Sequence, residues 1–242
     1  MKLQPLDQLV APEDRLKVVL SVGSGANAEA RIAECGFGSD LEDESIATWD
    51  SAYSGLNVPR ACDAAEFGAL ASMRWRYYRK QDAVVRNFNG LRKIICEQPN
   101  TEVAMLAVMR ASWFTPDNIL GVCHFRRTWA NSLYVDFLAK HPLLEAGTGP
   151  VVGGVGLNLL AFVVRLAKAI SARRVWGESS KDSADFYRRI FLTKRSSDEF
   201  RLDRRKYSDF LGRAFSKGAK LALDNVPKAV AEKNTVPNLS QR

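Results

Sequence analysis

Short apolar segments separated by turn residues predict a β-sheet in the middle of the chain. Residues 103–109, 119–125 and 133–139 are almost continuously apolar and rich in β-branched or aromatic side chains. Each segment is shorter than a typical helix, and turn-forming residues such as Pro116 and Pro142 lie between or after them, which favours strands. We therefore predict three consecutive antiparallel strands.

A long amphipathic helix is predicted after these strands. From Val155 onwards apolar residues recur at helical spacing and leave a narrow polar stripe, which contains Asn158, Arg165 and Lys168. The broad apolar face contains Leu159, Leu160, Val163, Leu166, Ala167 and Ile170. We expect this helix to lie across the sheet. Residues 172–178 then predict a short strand, which a right-handed crossover places parallel to the third strand.

Before the predicted sheet, the patterns of apolar and polar residues extend over shorter segments. Residues 16–22 are typical of a strand, and residues 28–34 indicate a short helix between turns. The rest of residues 1–60 shows no clear period, so we treat this region as an N-terminal extension. Residues 61–97 have helical spacing with a break near 87–90, which predicts two helices.

A short helix with favourable end charges is predicted after the parallel strand. Its capping residues and charges all suit the helix dipole. These residues are Ser179 or Ser180 as cap, Asp182 and Asp185 in the first turn, and Arg188 and Arg189 in the last. Residues 194–215 predict a strand followed by a helix, and residues 226–242 predict a flexible polar tail. The main domain is therefore expected over residues 61–225.

The composition indicates an intracellular globular protein. The chain has 242 residues, and no apolar run reaches the roughly 20 residues that a membrane helix requires. The first residues carry acids and prolines where a signal peptide would have an apolar segment. We therefore expect a cytoplasmic protein without membrane contact.

A metal or redox centre is not expected. The four cysteines form no C-x-x-C pair, and the two histidines are too few for a histidine-based metal site or a hydrolytic triad. His124 lies in an apolar strand, so we expect it to be a core residue rather than a ligand.

The positive charge of the chain favours an anionic partner. The formal net charge is +8, and much of it lies in residues 74–80 and 194–206. The first stretch alternates basic and aromatic residues, which suits either stacking on nucleic-acid bases or a core-facing aromatic stripe with a solvated basic face. In the second stretch we expect Arg201, Arg204 and Arg205 to form part of a surface for an anionic acceptor or polymer.

A glycine-rich loop over residues 147–156 leads into the amphipathic helix. Free N–H groups and the positive dipole end at such a helix start attract an anion such as a pyrophosphate, and glycine lets it approach. A P-loop is excluded because Gly156 is followed by Leu157 and Asn158 instead of Lys and Ser or Thr. A dinucleotide fingerprint fits poorly because its third glycine would fall on Leu159. A short phosphate-binding Gly-x-Gly turn and a loop that only reverses the chain both remain open.

The order of elements and two motifs together resemble the GNAT superfamily of acetyl-CoA-dependent N-acetyltransferases. The motifs are Gly154-Val155-Gly156 before the helix and Phe186-Tyr187 on the short helix, and the likeness covers residues 103–191. The resemblance implies an α/β fold with a mixed sheet, in which antiparallel N-terminal strands precede a parallel central pair, flanked by helices. It also implies acetyl transfer from acetyl-CoA to a primary amine.

The resemblance assigns roles to particular residues. Tyr187 would protonate the departing thiolate of coenzyme A. Helical spacing separately predicts that Phe186 and Ile190, four residues apart, share the buried face of the short helix and that Tyr187 turns towards its flank. Asp136 on the third strand and Glu178 at the end of the next are our own candidates for the base that takes the amine proton, because both lie near the expected cleft, although each can equally be a surface carboxylate. Backbone groups that would hold the pantetheine arm and the pyrophosphate belong to Leu138, Ala139, Lys140, Gly154, Val155, Gly156, Leu157 and Asn158.

The acceptor and the class of function stay open at this level. The amine can belong to a small molecule, a protein or an aminoacyl-tRNA, and the chain can act as a monomer or a homodimer. The alternative function is a catalytically silent GNAT-like module that binds an acyl-CoA or an anionic polymer such as RNA. Steep salt dependence would indicate the polymer.

Overall fold

The computed structural model describes residues 13–24, 28–115, 117–147, 149–192 and 198–224, with side chains described up to residue 216. The predicted tail at residues 226–242 and residues 194–197 of the basic stretch lie outside these ranges. No helix among the described residues is long and apolar enough to cross a membrane.

Nine strands of the described ranges form one sheet. In chain order they are β1 (Arg15–Val22), β2 (Glu29–Phe37), β3 (Val84–Val85), β4 (Val103–Arg110), β5 (Ile119–Arg127), β6 (Leu133–Lys140), β7 (Val152–Gly153), β8 (Arg174–Glu178) and β9 (Glu199–Asp203). Their spatial order is β7-β1-β2-β4-β5-β6-β8-β9, with β3 beside β4. β6 and β8 are parallel, while β4, β5 and β6 are antiparallel neighbours. This mixed sheet, flanked by helices, confirms the predicted GNAT-like fold.

Eight α-helices of the described chain cover the two faces of the sheet. They are α1 (Asp40–Ala47), α2 (Trp49–Tyr53), α3 (Pro59–Lys80), α4 (Phe88–Glu97), α5 (Pro142–Glu145), α6 (Val155–Ala169), α7 (Ala184–Phe191) and α8 (Tyr207–Asp224). Helices α4, α6, α7 and α8 pack into the larger core on one face, here called the α6 face. Helices α1, α2, α3 and α5 lie on the other side, here called the α3 face.

Helix α6 is the centre of the larger core, as its apolar pattern predicted. Ten of its residues are buried, and it packs across the middle strands. Gly121 on β5 permits this close approach. A Cβ atom at this position would lie 2.7 Å from Val155 Cγ1 and 2.8 Å from the Ala139 carbonyl oxygen, so any side chain would force α6 away from the sheet.

The short helix predicted at residues 28–34 is wrong, because this segment lies in β2. Alanine and glutamate favour a helix locally, but eight residues of β2 pair with β1, from Glu29 opposite Val22 to Gly36 opposite Arg15. β2 also pairs with β4, so residues 15–37 add two strands to the same sheet as the rest of the chain.

The two helices predicted within residues 61–97 are confirmed as α3 and α4. The break between them comes earlier than the predicted 87–90, because Asn87 caps α4. Its side-chain oxygen accepts the N–H of Gly90 at 2.7 Å. The short helix α7 likewise begins at Ala184, later than Ser179 or Ser180 would place it. Ser180 Oγ instead accepts the N–H of Ser183 in the turn before the helix.

Candidate functional site

The parallel strands β6 and β8 diverge shortly after they begin to pair. Their pairing runs only from Leu133 opposite Val175 to Val135 opposite Gly177. Asp136 then forms a bulge, since Val135 lies opposite Phe125 and Phe137 lies opposite its neighbour His124. Beyond the bulge, residues 137–140 pair with β5 alone among the described strands. A wedge therefore opens between β6 and β8, with backbone groups of β6 along one side.

The start of α6 forms a cradle, defined here as Gly154–Asn158, next to this wedge. Gly154 precedes the helix with a φ of 94°, a conformation that favours glycine. The backbone N–H and the side-chain amide of Asn158 both donate to the Gly154 carbonyl at 3.0 Å. The N–H groups of the first helical turn have no partner within the helix itself. The cradle thus has the geometry of an anion site.

The loop before the cradle is held in place by the N-terminal part of the chain. β7 pairs with Ser21 and Val22 of β1, and the N–H of Gly23 donates to the Val151 carbonyl at 2.8 Å. The strand at residues 16–22 was predicted, but its pairing with the loop before the cradle was not. The two segments lie more than a hundred residues apart in the sequence, and a two-residue strand leaves no detectable period.

Three residues that the resemblance selected lie together at the wedge. A Cβ atom at Gly156 would be 3.1 Å from Phe186 Cζ and 3.8 Å from Leu138 Cδ2. The cradle, strand β6 and helix α7 therefore converge, and Gly156 leaves the space in which they meet.

The predicted orientation of α7 is wrong. Tyr187 and Phe191, four residues apart, form its buried face, while Phe186 and Ile190 are only partly buried. The cause is Phe200 on β9, whose ring stacks on that of Tyr187 with centroids 3.9 Å apart and planes at 11°. Tyr187 is 5% exposed. Burial, with a smaller contribution from Cys123, raises the pKa of its hydroxyl well above the usual range.

A network of charged groups occupies the α3 face of the same strands. Asp136, whose side chain is 4% exposed, accepts from Arg126 Nε at 3.2 Å, and its other oxygen lies 3.1 Å from His124 Nδ1. Arg126 also donates to Glu102 at 3.1 Å, and Glu102 accepts the hydroxyl of Tyr78. We call His124, Asp136, Arg126, Glu102 and Tyr78 the polar network.

His124 is a buried member of the polar network, as its apolar strand predicted. Burial lowers the pKa of its ring, and the charge of Asp136 offsets only part of this effect. The neutral ring donates through Nδ1 to Asp136, since a carboxylate can only accept. Its Nε2 atom has no hydrogen-bond partner among the described residues.

Glu178, the second candidate base, has a different environment. It is exposed at the end of β8 and interacts with the Tyr134 hydroxyl. The Tyr134 ring packs against the Trp176 ring, with centroids 4.6 Å apart. The Arg126 guanidinium carbon lies 4.8 Å from the Tyr134 ring centroid. The structure therefore brings both predicted carboxylates to the α3 face, Asp136 buried in ion pairs and Glu178 open to solvent.

The basic and aromatic stretch of α3 has the contacts of a core-facing stripe. Trp75 and Tyr78 are buried, which leaves Tyr77 as its exposed aromatic residue. Arg76 pairs with the buried Asp43 at 2.9 Å. These contacts favour the packing interpretation over base stacking.

No protein-family model matches the chain, and no curated protein matches it. Among solved structures, it is similar to a nourseothricin acetyltransferase, with 20% identity over 36% of this chain and a TM-score of 0.29. The chain spans 48% of that protein's length. It is also similar to a proposed streptothricin acetyltransferase from Bacillus anthracis str. Ames in complex with acetyl coenzyme A, with 12% identity, 84% of this chain and 94% of the other covered, and a TM-score of 0.31. Both TM-scores are low, so the GNAT-like fold is identified from the strand order and the wedge instead.

Proposed function

We propose that this chain transfers an acetyl group from acetyl-CoA to a primary amine. The observation that carries the proposal is the wedge between β6 and β8, which opens directly beside a glycine cradle at the start of α6. A site of this shape can hold an extended thioester by its backbone and its phosphates at once. The acceptor then approaches from the α3 face, where the polar side chains lie.

The residues of the wedge fit the cofactor. The cradle N–H groups would receive the pyrophosphate, since Gly156 has no side chain to block it. The free edge of Leu138, Ala139 and Lys140 would pair with the amide groups of the pantetheine arm, as an added strand pairs with a sheet edge. Holding the thioester and the amine in line supplies much of the rate gain, because a reaction between two molecules then proceeds as an effectively unimolecular step.

Two side chains would move protons in this proposal. Glu178 accepts the amine proton, directly or through water, and its exposed position together with the Tyr134 contact supports this role. Tyr187 protonates the departing thiolate from the α6 face. Asp136, the other predicted base, holds Arg126 and His124 and so keeps the bulge in shape.

Binding of acetyl-CoA to the purified protein, measured by calorimetry, is the first test. The variant Gly156→Val should weaken binding about 100-fold, which corresponds to about 2.7 kcal/mol, because the side chain fills the cradle. Gly212→Val is the matched control, since a Cβ at Gly212 in α8 meets nothing within 4 Å. Equal binding by both variants, with unchanged melting temperatures, would move the cofactor site elsewhere.

A second measurement separates the enzyme from the silent binding module. Incubation with acetyl-CoA and a panel of small amines, peptides and aminoacyl-tRNA should add the mass of one acetyl group to an acceptor. Acetyl-CoA binding without any acetylated amine would favour the binding module instead.

A further inference from the structure

A second concave site lies at the opposite end of α6 from the cradle. Its cavity has a volume of about 640 Å³. The residues that line it come from the end of α6 and the start of α8, and they are Lys168, Ser171, Arg204, Arg205, Tyr207 and Ser208. This set, here called the basic pocket, contains three cations, three hydroxyl groups and no carboxylate.

The three cations of the basic pocket are not neutralised by nearby acids. Lys168, Arg204 and Arg205 are exposed, and none of them forms an ion pair within the described ranges. The adjacent Asp203 is already paired with Arg201 at 2.8 Å. Asp209 in the first turn of α8 is not part of the lining. The pocket therefore concentrates positive charge that an anion can neutralise.

The end of α6 is capped in a way that suits an anion nearby. A helix C-terminus normally presents free carbonyl oxygens, which repel negative charge. Here the Leu166 carbonyl accepts from Ile170, the Lys168 carbonyl from Ser171, and the Ala167 carbonyl from Ala172. The negative end of the helix is thus covered by the chain itself.

Local bonds orient the arginine side of the pocket. Arg204 Nη2 donates to the buried Ser171 Oγ at 3.3 Å, and the Arg204 N–H donates to the Arg173 carbonyl at 3.2 Å. Ser208 follows the first residue of α8, whose N–H donates to the Arg204 carbonyl, and the exposed Ser208 hydroxyl lies beside the arginines. A held guanidinium, two further cations and the neighbouring hydroxyl groups match the several oxygens of one phosphate.

The basic pocket is too far from the cradle to share its ligand's pyrophosphate. α6 contains 15 residues, so its ends are about 20 Å apart at 1.5 Å per residue. We propose that the basic pocket binds a phosphate group, carried either by a small phosphorylated molecule or by a nucleic-acid strand. This site is independent of the proposed acetyl transfer.

The test compares two variants that remove the same charge. The pocket variant combines Lys168→Gln, Arg204→Gln and Arg205→Gln. The control variant combines Lys17→Gln, Arg60→Gln and Lys93→Gln, three exposed residues without an ion pair in the described chain. Binding of inorganic phosphate is measured by calorimetry against chloride at equal ionic strength, and circular dichroism checks that both variants fold.

The pocket variant should bind phosphate at least about tenfold more weakly than the parent, and the control variant should bind like the parent. Acetyl-CoA binding should be the same in all three proteins. Equal phosphate binding by both variants, or no phosphate binding by the parent, would overturn the proposal. A matching loss of acetyl-CoA affinity in the pocket variant would also overturn it, because the pocket would then belong to the cofactor site.

A second arm identifies the source of the phosphate. Fluorescence anisotropy with a labelled single-stranded RNA measures polymer binding in the same three proteins. Binding that only the pocket variant loses, and that phosphate competes away, assigns the site to a nucleic-acid strand. RNA binding that is absent, or lost equally in both variants, while phosphate binding still depends on the pocket, assigns it to a small phosphorylated molecule.

Discussion

The two faces of strands β5 and β6 carry opposite chemistry. On the α6 face, Cys123, Phe125 and Val135 are buried among apolar side chains. On the α3 face, His124 and Asp136 on the same two strands belong to the polar network. One face therefore stabilises the fold beneath the proposed cofactor site, and the other positions charged groups beside the proposed acceptor entrance.

Because of the bulge at Asp136, strand β6 places Asp136 on the α3 face of the sheet and Leu138 on the α6 face, next to the cradle. Before the bulge, Val135 points to the α6 face; after it, Phe137 contacts Phe67 of α3 and Leu138 lies beside Gly156. In a regular strand, the alternation would turn Leu138 to the α3 face. The extra residue thus returns the end of β6 to the cradle while Asp136 remains on the other side.

The largest expected effect tests whether the α3 face carries the chemistry. We expect Glu178→Gln to lower turnover about 10³-fold, equal to about 4 kcal/mol, because the amide cannot accept the amine proton. Acetyl-CoA affinity and the free energy of unfolding should stay within about 0.5 kcal/mol of the parent, since the side chain is exposed. Steady-state kinetics with an identified acceptor measure the effect. Glu44→Gln, another exposed glutamate, is the control, and equal turnover in both variants would rule out Glu178 as the base.

The next effect concerns stability rather than turnover. Asp136→Ala should lower the free energy of unfolding by about 3 kcal/mol, because it leaves His124 without its carboxylate partner and Arg126 with Glu102 alone. Asp136→Asn, which has the same size and keeps one acceptor oxygen, should cost less. Urea unfolding of both variants measures the difference. A cost below about 1 kcal/mol for Asp136→Ala would show that the polar network does not hold the bulge.

A smaller effect is expected on the α6 face. Tyr187→Phe should lower turnover about 100-fold, at the low end of the range for a lost general acid, because burial raises the pKa of the hydroxyl and weakens it as a donor. Acetyl-CoA affinity should be nearly unchanged. Tyr207→Phe is the control, because Tyr207 is a second buried tyrosine of the same core. If both variants turn over like the parent, Tyr187 is only a packing residue.

The central sheet was predictable because its signals are local. Strands β4, β5 and β6 are short apolar runs between turns, and α6 has a strong helical period, so each element identifies itself. The glycines at 154 and 156 were found for the same reason. Gly154 needs its positive φ, and Gly156 needs space beside Phe186, which are conditions that leave a residue type in the sequence.

The structural features that the sequence did not predict depend on contacts between distant segments. β2 contains helix-forming residues, and its pairing with β1 and β4 outweighs that local preference. The buried face of α7 depends on Phe200 of β9, which a helical wheel of α7 cannot show. The return of the end of β6 to the cradle depends on a bulge of one residue at Asp136, which has no signature of its own.

The smallest expected effect is a difference in how pH acts on the two faces. On the α3 side, burial lowers the pKa of His124 and of His141, which lies among Trp49, Tyr53 and Phe114. On the α6 face, burial raises the pKa of Cys123 and of Tyr187. Acid should therefore destabilise the protein by protonating the histidines on the α3 side, and alkali should destabilise it by deprotonating the thiol and the phenol on the α6 face.

The sign of each effect follows from which state binds more protons. A histidine with a lowered folded pKa stabilises the protein above its unfolded pKa of about 6.5, and this contribution is lost as the pH falls below that value. A thiol or phenol with a raised folded pKa stabilises it below its unfolded pKa, about 8.5 for cysteine, and this contribution is lost as the pH rises. Each group changes the free energy of unfolding by at most about 1.4 kcal/mol per pH unit.

Urea unfolding between pH 5 and pH 10 measures how the free energy of unfolding falls towards acid pH, here called the acid limb, and towards alkaline pH, the alkaline limb. His124→Gln should reduce the slope of the acid limb and leave the alkaline limb unchanged, while Cys123→Ala should do the reverse. Each comparison uses slopes rather than absolute stabilities, because both variants also lose packing or hydrogen bonds. An acid limb with the same slope in His124→Gln and the parent would mean that His124 binds protons equally in the folded and unfolded chain, and the contrast between the faces would then rest on His141 alone.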